Sequence, residues 1–318
     1  MPVSHLEHFA APVSMANRRP PSKIFSRYHG PYAHVRRRLR RLIFGLQTLA
    51  GIAPSGYFIP HRYARTAPQR LEYPAVRTLF EANQLAMEHA ISNIAAAQAN
   101  LAGISREATP PEPRWNQDWF CGLDAAALFS FISDAPPGQM IEIGSGHSTR
   151  FAAAALKQHG AEASVITAID PAPRADIESL GITVLKKTVQ EVDPAVFSSL
   201  SGGDILSIDS SHISMPGTDL DWLVGHVLPH LPAGIRLHIH DVFLPLPYPE
   251  EWTWRGYNEQ TMVAALLAGG GYRPFFASQW LRAEKASLLQ RLLGDDFPHA
   301  IIAGPEGSHE SSLWLVKE

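Results

Sequence analysis

At 318 residues, 45% apolar and 18% charged, the chain is long enough to bury a large α/β core and too apolar for global disorder. The net charge of -3 hides an uneven distribution: residues 1–70 carry twelve Lys/Arg and the single acid Glu7, while the remainder carries fifteen basic and twenty-nine acidic residues. A basic arm on an acidic body points to an intramolecular or homodimer contact, or to an anionic partner. The one cysteine, Cys121, excludes an intrachain disulfide and a cysteine-built zinc site.

The opening MPVSHLEHFAAPV lacks the basic and apolar regions of a signal peptide. The longest apolar stretch, Leu42 to Ala53, is interrupted by Gly45, Gln47 and Thr48 and falls short of the ~20 residues that span a bilayer. A cytoplasmic protein without a membrane span is expected. RRPPSK and then HVRRRLRRLIFGL form the arm, whose arginines suit a solvated helix face or a clamp on acidic surface. Nucleic acid is disfavoured as partner, because few aromatics alternate with the charges. GYFIPHRYA at 56–64 reads as a packed connector, and apolar residues at three- and four-residue steps predict one long helix from Tyr73 to Ile104. Pro110, Pro111 and Pro113 end it, and WNQDWF follows as an aromatic loop.

After Asp134 the rhythm changes to short apolar runs separated by helical stretches. Strands are predicted at 139–143, 165–169, 182–185, 204–208 and 235–239, with helices at 148–159, 220–231 and 259–268. Such alternation is the pattern of a doubly wound, mostly parallel sheet. Residues 272–278 and 312–317 make a closing antiparallel pair around a helical insertion.

The sharpest motif is Ile141-Glu-Ile-Gly-Ser-Gly-His-Ser-Thr149, in which two glycines, Gly144 and Gly146, turn a strand directly into a helix. Asp170 closes the next strand about 25 residues on, where a carboxylate can hold the ribose hydroxyls of an adenosine ligand. A dinucleotide fold, as in an NAD-dependent oxidoreductase, wants a third small residue where Thr149 stands. Glu142 beside the loop suits a ligand carrying an ammonium or sulfonium better than a pyrophosphate.

EIGSGHSTRF, ITAIDPAPR, GDILSIDSSH, HIHDVFLPLPYPEEW and WRGYNEQ together resemble consecutive blocks of a bacterial class I methyltransferase family within the broad methyltransferase 24 set. The resemblance runs from about Gly56 to the end. It implies a seven-stranded Rossmann-like sheet and S-adenosylmethionine as cofactor, held at Glu142, Gly144, Ser145, Gly146, Ser148 and Asp170. It names no substrate. On this reading residues 1–104 form a basic, helical N-terminal subdomain and 105–318 the catalytic domain. The acceptor is expected to be an oxygen, or second a nitrogen, of a small molecule or sugar. RNA methylation with the basic arm as grip is the rival, weakened because Asp-Ser-Ser-His stands where base methyltransferases carry an Asn/Asp-Pro-Pro-aromatic motif.

Asp209 follows the fourth strand, and His240 and Asp241 follow the fifth, so Asp209, His212, His240 and Asp241 should meet on the glycine-loop side. Three roles are open for them: a divalent-metal site at Asp209, His240 and Asp241, base catalysis by a histidine, or a structural network. The placement resembles catechol-type O-methyltransferases, which take metal ligands after the same two strands but with an acid followed by Asn at the second. His238, two residues before His240, is expected to face away from it and pack in the core. His147 is expected in packing or catalysis, and Asp204 in a turn. Trp252, Trp254 and Tyr257 suggest a lid that stacks on a substrate or anchors a loop, with Arg255 and Asn258 available for a carboxylate or amide.

Overall fold

A computed structural model describes residues 33–52, 71–173 and 176–318; the connector at 56–64 lies outside them. The chain divides into two compact units, residues 1–67 and 68–318. The described part of the first is a helix, α1 (Ala33–Leu49), on which Val35, Leu39, Leu42, Leu46 and Leu49 make an exposed apolar stripe beside Arg36, Arg38, Arg40 and Arg41. No helix among the described residues is long and apolar enough to cross a membrane.

The second unit opens with α2 (Pro74–Ala82), α3 (Gln84–Ala96) and α4 (Gln98–Gly103). The single helix expected from Tyr73 to Ile104 is therefore broken twice. At Asn83 the side-chain amide donates to the Leu79 carbonyl at 2.9 Å, so a residue that competes with helical bonding marks the first break. The breaks let Val76, Phe80, Met87, Ile91, Ile94 and Leu101 all reach the core around the sheet. These helices thus share the body of the sheet, and the sequence division at 104 falls inside a unit that begins at Pro68.

The next helix, α5 (Gly122–Asp134), is buried from Gly122 to Ile132. A helix that is apolar all round has no periodic face to betray it, and the sequence reading passes over it. Its buried polar residues are Asp124 and Ser130.

The strands are β1 (Met140–Ile143), β2 (Ile166–Ile169), β3 (Thr183–Leu185), β4 (Ile205–Ile208), β5 (Arg236–Ile239), β6 (Tyr272–Ala277) and β7 (Leu313–Lys317). They form one seven-stranded sheet in the order β3-β2-β1-β4-β5-β7-β6. β1 to β5 run parallel, and β7 is antiparallel to both β5 and β6. This is the mostly parallel α/β sheet that the sequence predicts. Asp204 braces its start, accepting from Gln139 N, Ser201 N and Ser201 Oγ at 2.8–3.0 Å, as a turn residue should.

Register decides what meets at the other end. Ile143 pairs with Ile169 and Ile208, and Ile208 with Ile239. The next residues, Gly144, Asp170, Asp209 and His240, therefore emerge side by side at the carboxyl edge. Strand order reverses between β1 and β4, which is where open α/β sheets bind ligands. The flanking helices include α6 (His147–His159), α7 (Asp219–His226) and α8 (Glu259–Ala268), and the insertion supplies α9 (Ser278–Glu284), α10 (Ala286–Leu293) and α11 (His299–Ile302).

Candidate functional site

The glycine loop joins β1 to α6, and its two glycines serve different ends. Gly144 sits at φ +82°, and a Cβ there would overlap the carbonyl oxygen of Asp209. Its amide donates to the Ile169 carbonyl at 2.9 Å. Gly146 is extended at φ 173°, and a Cβ there would meet nothing within 4 Å. The first glycine is demanded by the neighbouring chain, whereas the second leaves open space.

The acidic residues of the loop are tied into it. Glu142 is fully buried and accepts from Ser148 Oγ at 2.6 Å and from the Thr149 hydroxyl. Burial pushes its carboxyl up to about 7, against the pull of those two donors. Thr149 Oγ1 also accepts from the Gly146 amide at 3.0 Å, which gives the residue at the third-glycine position a use that no glycine could fill. Asp170 accepts from Ser145 N at 3.0 Å, Ser145 Oγ at 2.7 Å and Ala172 N at 2.8 Å. Of the six cofactor candidates, Gly144, Ser145 and Gly146 form the loop, Ser148 stands in the first turn of α6, Asp170 follows β2 beside them, and Glu142 in β1 braces the loop from the interior. His147 begins α6 with its Nδ1 buried and unpartnered, and burial holds it down at about 3.

Asp209, His240 and Asp241 offer ligand atoms that all lie within 4.8 Å of one another. His240 Nδ1 is 3.5 Å from Asp209 Oδ1 and 3.5 Å from Asp241 Oδ1. His212 Nε2 lies 3.3 Å from Asp209 Oδ1 and 3.5 Å from Asp241 Oδ2. The four residues expected to meet do so. His212 and Asp241 hold left-handed backbone, at φ 60° and 57°, a conformation that side-chain-bearing residues keep only where the surroundings enforce it.

Two carboxylates that the sequence reading missed stand behind the imidazoles. Asp124 of α5 is 3.3 Å from His240 Nε2, and Glu259 of α8 is 2.8 Å from His212 Nδ1; both are fully buried. Asp124 also accepts from Ser278 Oγ at 2.5 Å and from the Ser311 and Ser312 amides at 2.7 and 3.0 Å. Burial works to raise Asp124, but His240 and these donors outweigh it and hold the carboxyl below its ordinary value. Glu259 Oε1 has no such donor, and burial raises that carboxyl despite His212. Burial likewise opposes the charges at the centre, yet His240 and His212 hold Asp209 well below the usual carboxylate range. Both imidazoles are raised well above theirs, His212 chiefly by Asp209 and Glu259, and His240 chiefly by Asp209 and Asp241.

His238 does not face away from His240. Strand residues two apart point to the same side, and the two rings lie 6.2 Å apart, both against Phe120. His238 is nonetheless a packed residue: it bonds Ser207 Oγ at 2.8 Å and Ser312 Oγ at 2.9 Å and stacks on Trp314.

The aromatic segments divide between packing and cover. Trp115 is buried against Phe151 and Phe120 is buried, whereas Trp119 is exposed beside His147. Tyr257 packs against His212 with ring centres 4.5 Å apart and the rings tilted by 40°, and the Arg255 guanidinium lies 3.9 Å over Trp252. Arg255 Nη1 donates to Tyr257 Oη at 2.9 Å and approaches Asp241 Oδ2 at 3.7 Å. Asn258 is occupied with the Ser214 backbone rather than turned to an open site.

Residues 141–242, from β1 to just past Asp241, match a family model described as a methyltransferase domain. The chain carries a methyltransferase domain over these residues. The match spans the glycine loop and all four residues of the Asp-His cluster, while Asp124 and Glu259 reach the methyltransferase site from outside it. No curated protein matches the chain.

Proposed function

We propose that this methyltransferase acts on an oxygen of a small molecule or sugar, with nitrogen as the second choice of atom, and that Asp209, His240 and Asp241 hold a divalent ion beside the acceptor. The observation that carries the proposal is the convergence of those three donors within 4.8 Å at the mouth of the cofactor loop. The loop fits the cofactor because Gly146 keeps open the space that a Cβ would fill. Backbone of Gly144 to Gly146, with Ser145 and Ser148, would hold the methionyl end, and Asp170 the ribose. Glu142 braces the loop beneath the cationic end. Bound there, S-adenosylmethionine supplies an electrophilic methyl group, and a divalent ion would polarise the acceptor oxygen. The chain's own contribution is position: Asp209 is fixed against Gly144 by the loop packing, and Tyr257, Trp252 and the Arg255 guanidinium that lies over them form a wall beside His212 and Asp241 against which a planar or apolar acceptor packs.

Metal analysis of purified protein, reloaded after chelation, tests the reading. About one equivalent of ion is expected, lost in Asp209→Asn and Asp241→Asn while affinity for S-adenosylhomocysteine stays near that of the unaltered chain. Failure of magnesium, manganese, iron and zinc alike to bind would end it.

A further inference from the structure

We propose that this centre is built for a first-row transition ion, bound through two imidazoles rather than by oxygen alone, with His212 as a fourth protein ligand and Asp124 and Glu259 as the carboxylates that aim the rings. The inference rests on the divalent-ion reading above and specifies the ion and its ligands. Magnesium and calcium take oxygen donors, and magnesium keeps much of its water. Here half the converging donors are imidazole nitrogens, the donor type favoured by zinc, iron, nickel and copper.

The two histidines are mounted alike. His240 turns Nδ1 to the carboxylate pair and Nε2 to Asp124; His212 turns Nε2 to the pair and Nδ1 to Glu259. With the outer proton of each ring donated to a buried carboxylate, an entering ion would displace the inner proton and take the lone pair it leaves. The two rings then take opposite tautomers, each fixed from behind. This is the outer support that ligating histidines carry, where it sets ring orientation and strengthens the donor. His240 Nδ1 lies 3.5 Å from Asp209 Oδ1 and from Asp241 Oδ1, close to the edge of roughly 3.3 Å between donors placed about 2.0–2.1 Å from one tetrahedral ion, and His212 Nε2 joins from the other side, 3.3 Å from Asp209 Oδ1 and 3.5 Å from the second Asp241 oxygen, Oδ2.

The test uses the full chain, stripped with chelator and titrated separately with cobalt(II), zinc(II) and magnesium(II). Cobalt and zinc should bind at one equivalent and at least ~100-fold more tightly than magnesium. Pulsed electron paramagnetic resonance of the copper(II)-loaded protein should show two imidazole nitrogens, and His212→Ala and His240→Ala should each leave one. Asp124→Asn and Glu259→Gln should weaken cobalt binding ~10–100-fold while S-adenosylhomocysteine still binds, which also reports that the variants fold. If they do not fold, the spectrum of the unaltered protein decides. An oxygen-only or single-imidazole spectrum, or magnesium binding as tightly as cobalt, overturns this assignment and leaves the divalent-ion reading intact. Absence of any ion overturns both.

Discussion

The α-carbon of Gly144 packs against the carbonyl of Asp209 so closely that a Cβ on the glycine would overlap it. The glycine loop and the fourth-strand carboxylate are therefore one structural unit, set by the parallel pairing of Ile143 with Ile208. Moving either moves the other.

That contact separates two substitutions that look equivalent in sequence. Gly144→Ala must displace Asp209 and adopt left-handed backbone, and should cost about 3 kcal/mol or more. Gly146→Ala meets no protein atom and should leave the melting temperature near that of the unaltered protein. Its methyl group enters the space proposed for the cofactor, so S-adenosylhomocysteine should bind at least ~10-fold more weakly by isothermal titration. Equal thermal losses in the two variants, or unchanged affinity in Gly146→Ala, would contradict the division.

How much of this was legible in sequence follows from which forces place each residue. Gly144, Asp170, Asp209 and His240 sit at strand ends, and alternation of apolar runs with helices is enough to put strand ends on one edge. Asp124 and Glu259 arrive from helices whose docking is tertiary. Glu259 in a helical first turn looks like any residue favoured there by the helix dipole. Asp124 left one signal: a lone charge in the run GLDAAALFSFI, where every neighbour is of a kind that gets buried. Buried charges are paired, so an acid there asks for a cation or strong donors. The two-residue period of a strand puts His238 on the same side as His240, and the helix breaks at Asn83 and Ala97 fall where the apolar periodicity carries on undisturbed.

Glu142 gives the fold a pH dependence with a definite sign. Its ordinary value is 4.5 and its folded value about 7, raised first by burial. Below pH 4.5 the carboxyl is protonated in both states and contributes no difference. Between 4.5 and 7 the unfolded chain loses the proton that the folded chain keeps, so stability falls as pH rises, and the full cost is present above 7. The shift corresponds to about 3 kcal/mol. Urea unfolding of the unaltered protein and Glu142→Gln at pH 5 and pH 8 isolates the group. The variant should gain relative stability at the higher pH, and a gap that stays constant or closes would refute the assignment.

Asp124 should matter to the fold before it matters to chemistry. Asp124→Ala strips the acceptor from Ser278 Oγ, two backbone amides and His240 at once, all in the interior. Removing one partner of such a buried set costs about 3–5 kcal/mol. Asp124→Asn keeps one acceptor oxygen and should cost clearly less. Chemical denaturation midpoints rank the two. A near-neutral alanine would show that α5 and the β7 entry are held by packing alone.

Arg255 provides a test in the opposite direction, a removal that should improve binding. Its guanidinium lies 3.7 Å from Asp241 Oδ2, so an incoming divalent ion meets a carboxylate already partly neutralised. The Arg255 side chain is 30% exposed and that of Asp241 10%, so the pair is only partly screened by water. Screening at that exposure leaves an effect of about 3–10-fold in ion affinity. Arg255→Ala should tighten manganese(II) binding by that factor, most clearly at low ionic strength, where the lost repulsion is screened least. Loss of the guanidinium also frees the Trp252 and Tyr257 faces it covers, so tryptophan fluorescence should change without ligand. Weaker manganese binding in the variant would mean that Arg255 positions Asp241 for the ion rather than competing with it.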